Sequence, residues 1–307
     1  MMDAMKAPEG IVAMAAQRAA ARAARDFPAA DELRVRIEDA GWTVVDEPDG
    51  GWQLVPAPQT APGRLRASDV PSVLEEPADA DVSVHWICEG WPDDIARALD
   101  AFRANQGARE VQYVVADVTD LDDGAFGPEV EVVALEEGTG WGAGRNAGLR
   151  RSRGRLVFVM DGSIEPTGDV FSPLESALGD PGLGIAGPFG VVTHDLRQFD
   201  EAAGPGPCDA VEGYLMAMRR EVAARAGLFD EKFRWYRTAD IELSFRVKDL
   251  GMRTEVVELP VAKHEHRMWF ETPPAERAKW SKRNFYRFLD RWRDRWDLVL
   301  DPRPPER

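Results

Sequence analysis

From Trp141 to Pro166 the sequence runs WGAGRNAGLRRSRGRLVFVMDGSIEP, and this stretch limits what the chain can fold into more than any other. Leu156-Val157-Phe158-Val159-Met160 is an unbroken apolar run, the pattern of a strand covered on both faces. Ahead of it, Ala143 to Arg151 holds good helix formers with Gly154 as a stop. The glycines around that helix are read as a loop that turns tightly and lets backbone approach a ligand. A loop, a basic helix and a buried strand in this order put Asp161 at the carboxyl end of the strand, where open α/β sheets bind ligands.

The neighbouring segments extend the same pattern. Val82 to Ile87, Val111 to Val115 and Val130 to Leu135 read as strands, and Ile95 to Asn105 reads as a helix led in by Asp93 and Asp94. Strand, helix, strand, strand, helix, strand describes an α/β domain with a largely parallel sheet and right-handed crossovers. Later elements are expected at Val170 to Leu178 (helix), Gly184 to Val192 (extended), Ala210 to Met218 (strand), Arg220 to Ala226 (helix), Asp240 to Leu250 (helix) and Thr254 to Leu259 (strand). The last element, Ala275 to Trp296, carries Trp280, Phe288 and Trp292 at helical spacing with Lys and Arg between them. Such a stripe packs on its own domain with snorkelling basic stems, or it lies on a membrane surface as a peripheral contact.

At 307 residues and 44% hydrophobic the chain can bury one large core with a smaller satellite. Cys88 and Cys208 are its only cysteines and sit in unrelated contexts, so no disulfide framework or zinc cluster is expected and a reducing cytoplasm fits best. No apolar run is long enough for a signal peptide or a transmembrane segment. The net charge of -16 disfavours nonspecific binding to nucleic acid or to an anionic membrane. Within it, Arg145, Arg150, Arg151, Arg153 and Arg155 form a local cationic cluster, either a solvated helix face or a phosphate contact.

Residues 1–55 read as a separate α+β module. An alanine-rich helix is followed by a second one capped by Asp26, with Pro28 in its first turn, and then by a hairpin joined through Glu47-Pro48-Asp49-Gly50-Gly51. Residues 56–80, with Pro56, Pro58, Pro62, Pro71 and Pro77, are expected to be a linker to a domain spanning 81–307. Ala21-Arg22, Arg25-Asp26-Phe27, Ala30-Asp31, Leu33-Arg34, Ile37, Gly41, Val44, Asp46, Gly50 and Trp52 give the module a pattern that resembles the C-terminal tail of cysteinyl-tRNA synthetases. That resemblance implies a place near RNA. Five arginines, Arg18, Arg22, Arg25, Arg34 and Arg36, are nevertheless outnumbered by nearby carboxylates, which favours a packing or protein-interaction module.

From Asp81 onward the chain carries Gly144-Arg145-Asn146-Ala147-Gly148-Leu149, Phe158-Val159-Met160-Asp161-Gly162-Ser163, Gly227-Leu228-Phe229-Asp230-Glu231-Lys232-Phe233 and Ala239-Asp240-Ile241-Glu242-Leu243-Ser244-Phe245-Arg246, followed by Gly251, His264 and Lys282-Arg283-Asn284-Phe285-Tyr286-Arg287-Phe288. In these motifs and their order it resembles a family 2 glycosyltransferase. The resemblance implies a GT-A fold, a Rossmann-like mixed sheet of the α/β class. It also implies transfer of a sugar from a nucleotide-diphosphate donor to an acceptor hydroxyl, with inversion. Asp240 matches the general base, which takes the hydroxyl proton. Arg145 and Asn146 match the donor side of the pocket, with Asp117 as the substitute for an aspartate that faces the nucleotide base. Asp161 and His264 match ligands of a divalent metal, Mn or Mg, with His266 as a nearby alternative. Departures from the pattern are Ala116, Ser163 in place of a second acidic ligand, Ala239, and the Trp86 to Gly90 strand end. They motivate a second expectation, a glycosyltransferase-like domain that binds without catalysing. Glu242 is expected to anchor its helix, because residues two apart on a helix do not share a face. No residue pattern in the chain specifies the acceptor, the sugar, the nucleotide base or the oligomeric state.

Overall fold

The computed structural model describes residues 7–47, 51–56, 63–122 and 124–303. The chain divides into two compact units, Met1–Pro62 and Gly63–Arg307. In the small unit, helices α1 (Glu9–Ala23) and α2 (Phe27–Asp39) precede an antiparallel pair, β1 (Trp42–Asp46) and β2 (Trp52–Pro56). Asp26 caps α2 by accepting from the Ala29 amide at 3.2 Å. Ile11, Ala15, Ile37 and Trp42 form its core. Arg18 is buried at 4% exposure because it makes a two-point contact with Asp46, at 2.8 and 3.0 Å. Of the expected turn Glu47 to Gly51, residues 48–50 lie outside the described residues.

The large unit begins before the expected boundary. Arg64 donates to the carbonyls of Leu135 and Asp117, Leu65 forms a bridge with Leu135, and the Val73 amide bonds the Arg150 carbonyl. From Gly63 the Pro-rich stretch is therefore a docked strap. Proline content suppressed the helix and strand pattern there without preventing hydrogen bonding to its neighbours.

After the strap come β3 (Ala80–Cys88), α3 (Pro92–Asn105), β4 (Val111–Asp117), β5 (Val130–Ala134), α4 (Trp141–Arg150), β6 (Gly154–Met160), β7 (Ile164–Pro166) and α5 (Phe171–Leu178). The second half holds β8 (Leu183–Gly187), β9 (Gly190–Val192), β10 (Asp200–Glu201), β11 (Gly206–Cys208), β12 (Ala210–Val211), β13 (Leu215–Arg219), α6 (Arg220–Ala226), α7 (Ala239–Asp249), β14 (Arg253–Val256), β15 (Val261–Lys263), α8 (Arg267–Glu271) and α9 (Pro274–Trp292). An eight-stranded sheet runs β11-β14-β8-β13-β6-β3-β4-β5. β6, β3, β4 and β5 are parallel, as expected, whereas β13 runs antiparallel to both β6 and β8. The sheet is therefore mixed, as the α/β reading with a Rossmann-like mixed sheet expects, with β13 the strand that runs against both of its neighbours.

β6 is covered on both faces. Val157 and Val159 belong to the apolar cluster on one side and Phe158 and Met160 to the cluster on the other. Truncating the fully buried Phe158 to Ala would cost about 3–5 kcal/mol. The glycines ahead of β6 are not a loop, since α4 already starts at Trp141. A Cβ on Gly142 would lie 2.7 Å from the Asp230 carbonyl, and one on Gly144 would lie 2.5 Å from Ile87. They are small so that α4 can press against its neighbours.

A feature with no forecast in the sequence pattern is the short antiparallel pair β7–β15, in which Ile164 opposes Lys263. It folds the segment after β15 back over the end of β6, with the His264 amide bonded to the Ser163 carbonyl at 2.7 Å. No described helix is long and apolar enough to cross a membrane.

Candidate active site

A cleft of about 1060 Å³ opens beside the carboxyl end of β6, and Arg145, Asp161, Asp240, His264 and His266 line it. One turn ties its two aspartates together. The Asp161 amide donates to the Tyr214 carbonyl at 3.0 Å, while the adjacent Gly213 amide donates to Asp240 Oδ2 at 2.8 Å. Asp240 stands in the first turn of α7, behind Thr238, whose φ of +74° lies in the left-handed region. Its other oxygen accepts from the Ile241 amide at 2.9 Å. Burial pushes the Asp240 carboxyl up from its ordinary value, against the pull of the Gly213 and Ile241 amides.

Asp161 Oδ1 accepts from the Ser163 amide at 2.8 Å and from the Ser163 hydroxyl. Its Oδ2 lies 3.1 Å from His266 Nε2. Burial raises this carboxyl, but the His266 imidazole and the two Ser163 donors outweigh it and hold the group at about 2. His266 is itself fixed: it caps α8, with Nδ1 3.2 Å from the Trp269 amide, and its ring meets Tyr236 at 4.6 Å and Tyr214 at 6.0 Å. With Nδ1 accepting, the proton sits on Nε2 and points at Asp161.

Arg145 is 2% exposed, with its guanidinium 5.0 Å from the Trp141 ring centre. Among the described residues its one hydrogen bond, to the His85 carbonyl, is long at 3.4 Å, and its Nε has no partner. Burial lowers its pKa to about 10, opposed by Asp161 and Glu89, so it remains a cation at neutral pH. A buried cation with unused donors is costly unless an anion completes it. Beside it, burial raises Glu89 to about 8, and nearby Asp161 adds to the effect while Arg145 opposes it.

Three residues expected to touch donor or metal have their side chains engaged within the protein. Asp117 does not line the cleft. Its carboxylate is filled by Thr119 (2.8 Å to the amide, 2.6 Å to the hydroxyl) and by Arg64 Nη2 at 3.0 Å. Asn146 accepts from the Phe229 amide and donates to the Phe229 carbonyl, both at 2.9 Å, so it holds the loop before α7 rather than a ligand. His264 lines the cleft, but its Nε2 bonds Glu165 Oε2 at 2.7 Å, and the histidine on Asp161 is His266. Of the arginine cluster, only Arg145 reaches the cleft. Arg150, Arg151, Arg153 and Arg155 pair with Glu231, Glu131, Asp79 and Asp81. Glu242 anchors α7 and α9 through Arg246 and Arg291, at 2.9 and 3.2 Å.

Sequence reasoning passed over Glu212, Tyr214, Tyr236, Arg237 and Lys263, all of which line the cleft. Burial and nearby Asp240 raise Glu212 to about 7, with Lys263 opposing. An acidic residue followed by glycine inside the apolar stretch Ala210 to Met218 was the available signal, because it interrupts a strand with a turn.

The donor atoms at Asp161 and His266 suit a divalent ion. Asp161 Oδ2 and His266 Nε2 lie 3.1 Å apart, so these two residues would hold one ion between them. For His266 to serve as such a ligand, Nδ1 rather than Nε2 would carry the imidazole proton, and the Trp269 amide would keep its 2.9 Å bond to the His266 carbonyl. No cluster of three or more His, Cys, Asp or Glu side chains suited to a metal occurs among the described residues, so substrate oxygens and water would complete the shell.

No curated protein sequence matches the chain. Among solved structures, GalNAc-T7 with UDP, GalNAc and Mn2+ aligns over 71% of this chain and 48% of its own, with 16% identity and a TM-score of 0.55. The present chain thus spans about half the length of that protein. A mannosyltransferase from Pyrobaculum calidifontis in complex with GDP-Man and Mn2+ aligns over 71% of this chain and 68% of its own, with 19% identity and a TM-score of 0.49. The family model for glycosyl transferase family 2 matches residues 110–205, the span that contains α4, β6 and Asp161. The fold of the large unit is the mixed α/β architecture of GT-A glycosyltransferases.

Proposed function

We propose that this protein transfers a sugar from a nucleoside-diphosphate donor to an acceptor hydroxyl, with inversion at the anomeric carbon. The observation that carries this reading is the Glu212–Tyr214 turn, which fixes Asp161 and Asp240 on one cleft. The match to family 2 over residues 110–205 supports it, as does a solved structure of the same fold that holds UDP, GalNAc and Mn2+.

Arg145 binds the diphosphate, exchanging its unused donors for charge-assisted hydrogen bonds. Asp161 and His266 would hold a divalent metal, Mn or Mg, which when bound would offset the negative charge on the departing diphosphate. Asp240 takes the acceptor proton. As it does so the acceptor oxygen bonds to the anomeric carbon, the bond from that carbon to phosphate breaks, and the nucleoside diphosphate leaves with the electron pair. Burial favours this assignment, because a carboxylate raised above its ordinary pKa is a stronger base. Activity is therefore lost as pH falls through the raised Asp240 value.

Purified protein incubated with a panel of nucleotide sugars is expected to hydrolyse or transfer at least one. Asp240→Asn should reduce that rate about 10³-fold with the fold intact by circular dichroism. An active Asp240→Asn variant removes Asp240 from the role of base. The second reading, a domain that binds nucleotide without catalysing, draws on Ser163, which stands where a second acidic ligand is expected and instead donates to Asp161. Nucleotide binding with no turnover of any donor favours it. For the small unit we read a packing or protein-interaction role, since Arg18 and Arg22 are both engaged by Asp46 and are not offered to RNA. Salt-sensitive retention of tRNA by the protein would overturn that.

A further inference from the structure

His266 reaches Asp161 from the head of a helix that is weakly held by packing. α8 is five residues long and none of them is buried, so neither helix length nor a core position fixes its place. Its apolar contacts are the partly buried Met268 and Trp269, which stacks on Trp235 at 6.1 Å. Polar contacts to the head of α3 hold both of its ends. Arg267 Nε, one residue past His266, lies 3.4 Å from Asp94 Oδ2, and the Trp91 indole donates to Glu271 Oε1 at 3.1 Å.

One arginine joins these contacts to the other half of the site. Arg97, a turn into α3, donates through Nη1 to Asp94 Oδ1 at 2.8 Å and through Nη2 to the Gly162 carbonyl at 3.1 Å. The first arm fixes the carboxylate that receives Arg267, the neighbour of His266. The second holds the residue next to Asp161. Its Nε stands 3.5 Å from Glu165 Oε2, an ion pair without a hydrogen bond and the weakest of the three contacts. Asp94 gives one oxygen to each arginine and keeps only 12% of its side chain exposed, so solvent screens these contacts little. A Cβ on Gly162 would come within 3.2 Å of Asp94 Cβ, which shows how closely the turn after Asp161 is pressed on α3. A guanidinium can meet these partners with separate nitrogens in one plane, whereas a lysine presents a single ammonium.

We propose that Arg97 is a positioning residue for the Asp161–His266 pair. It bonds to neither among the described residues. Through Gly162 on one side, and through Asp94 and Arg267 on the other, it keeps the carboxylate oxygen and the imidazole nitrogen 3.1 Å apart. The consequence for a metal rests on the proposed divalent site, and the consequence for the imidazole contact does not. The His264 ring is not needed for it, because the His264 amide already bonds the Ser163 carbonyl.

Three variants of the full chain test this: Arg97→Met, Arg97→Lys and, as a control on the same helix, Arg103→Met. Arg103 likewise bonds the carboxylate three residues before it and a carbonyl, those of Asp100 and Phe126. In metal-free protein, proton NMR should show an imidazole N–H shielded from exchange with water and assigned by its loss in His266→Gln. Arg97→Met should speed that exchange about 10-fold and weaken Mn2+ binding, read by the electron paramagnetic resonance of the free ion, about 10-fold. Arg97→Lys should recover neither, and Arg103→Met should change neither. Should Arg97→Met fail to fold, the lysine variant carries the same test. An exchange rate or an Mn2+ affinity within about 2-fold of the parent in the Arg97 variants would overturn the proposal. Equal losses in Arg103→Met would overturn it too, since the effect would then be one of general stability. Full recovery by Arg97→Lys would reduce it to charge, and a parent without a shielded His266 N–H would lack the contact that Arg97 is said to hold. No Mn2+ binding by the parent would sink the metal site and leave the imidazole exchange to decide the proposal.

Discussion

Asp117 and Asp161 stand at the carboxyl ends of two parallel strands, β4 and β6, and begin with the same local chemistry. Each accepts through Oδ1 from the amide and hydroxyl of the residue two positions on, Thr119 in one case and Ser163 in the other. They part at the second oxygen. Asp117 Oδ2 meets Arg64 from the docked strap and is closed off at 1% exposure, whereas Asp161 Oδ2 meets His266 and opens on the cleft. A strand-end aspartate is therefore made structural or functional by what distant chain brings to it, and an arginine makes a permanent cap where an imidazole makes an exchangeable one.

The sharpest way to break this comparison is to neutralise each aspartate. Asp161→Asn should lower transfer about 10²–10³-fold and, because the folded protein holds this carboxyl at about 2, also cost on the order of 1–2 kcal/mol of stability at neutral pH. Asp117→Ala should reverse that weighting. It leaves Arg64 without its buried partner and costs about 3–5 kcal/mol by urea denaturation, while turnover per folded molecule is retained. Reversal of the two outcomes would mean that the cleft has been assigned to the wrong strand end.

A smaller effect separates the histidines. His266→Gln should weaken Mn2+-dependent nucleotide binding about 10–100-fold, and His264→Gln, which loses only Glu165, should change it less than about 2-fold. Equal losses would restore His264 to the metal.

The smallest expected effect concerns Glu89, whose carboxyl rises from 4.5 to about 8 through burial. Because the folded protein holds this proton more tightly than the unfolded chain, stability at this site is fully present below pH 4.5 and falls as pH rises toward 8. Glu89→Gln should therefore flatten the decline of the melting temperature between pH 5 and pH 8, by on the order of 1–3 kcal/mol at the upper end. A variant with the same pH slope as the parent would show that Glu89 ionises normally.

These contrasts also mark what the sequence could reveal. Strand β6 was legible because its burial on both faces leaves an unbroken apolar run, and α6 and α7 because their ends carry Gly227 and Gly251. Asp161 and Asp240 followed from motif order. The roles of Asp117, Asn146 and His264 did not, since each depends on a partner far along the chain: Arg64, Phe229 and Glu165. Glycines offered a related ambiguity. A glycine needed for a turn and one needed so that α4 can touch Ile87 look alike in sequence. The pair β7–β15, three residues a side, is too short to leave a periodic pattern, yet it carries His266 to Asp161.

Calorimetric titration of UDP and GDP, each with and without Mn2+, into the wild-type protein and Asp161→Asn addresses the central claim most directly. One of the two nucleotides should bind the wild-type protein more tightly with Mn2+, and Asp161→Asn should bind it with the Mn2+ enhancement gone. No binding of either nucleotide, or an undiminished Mn2+ enhancement in Asp161→Asn, would contradict the account.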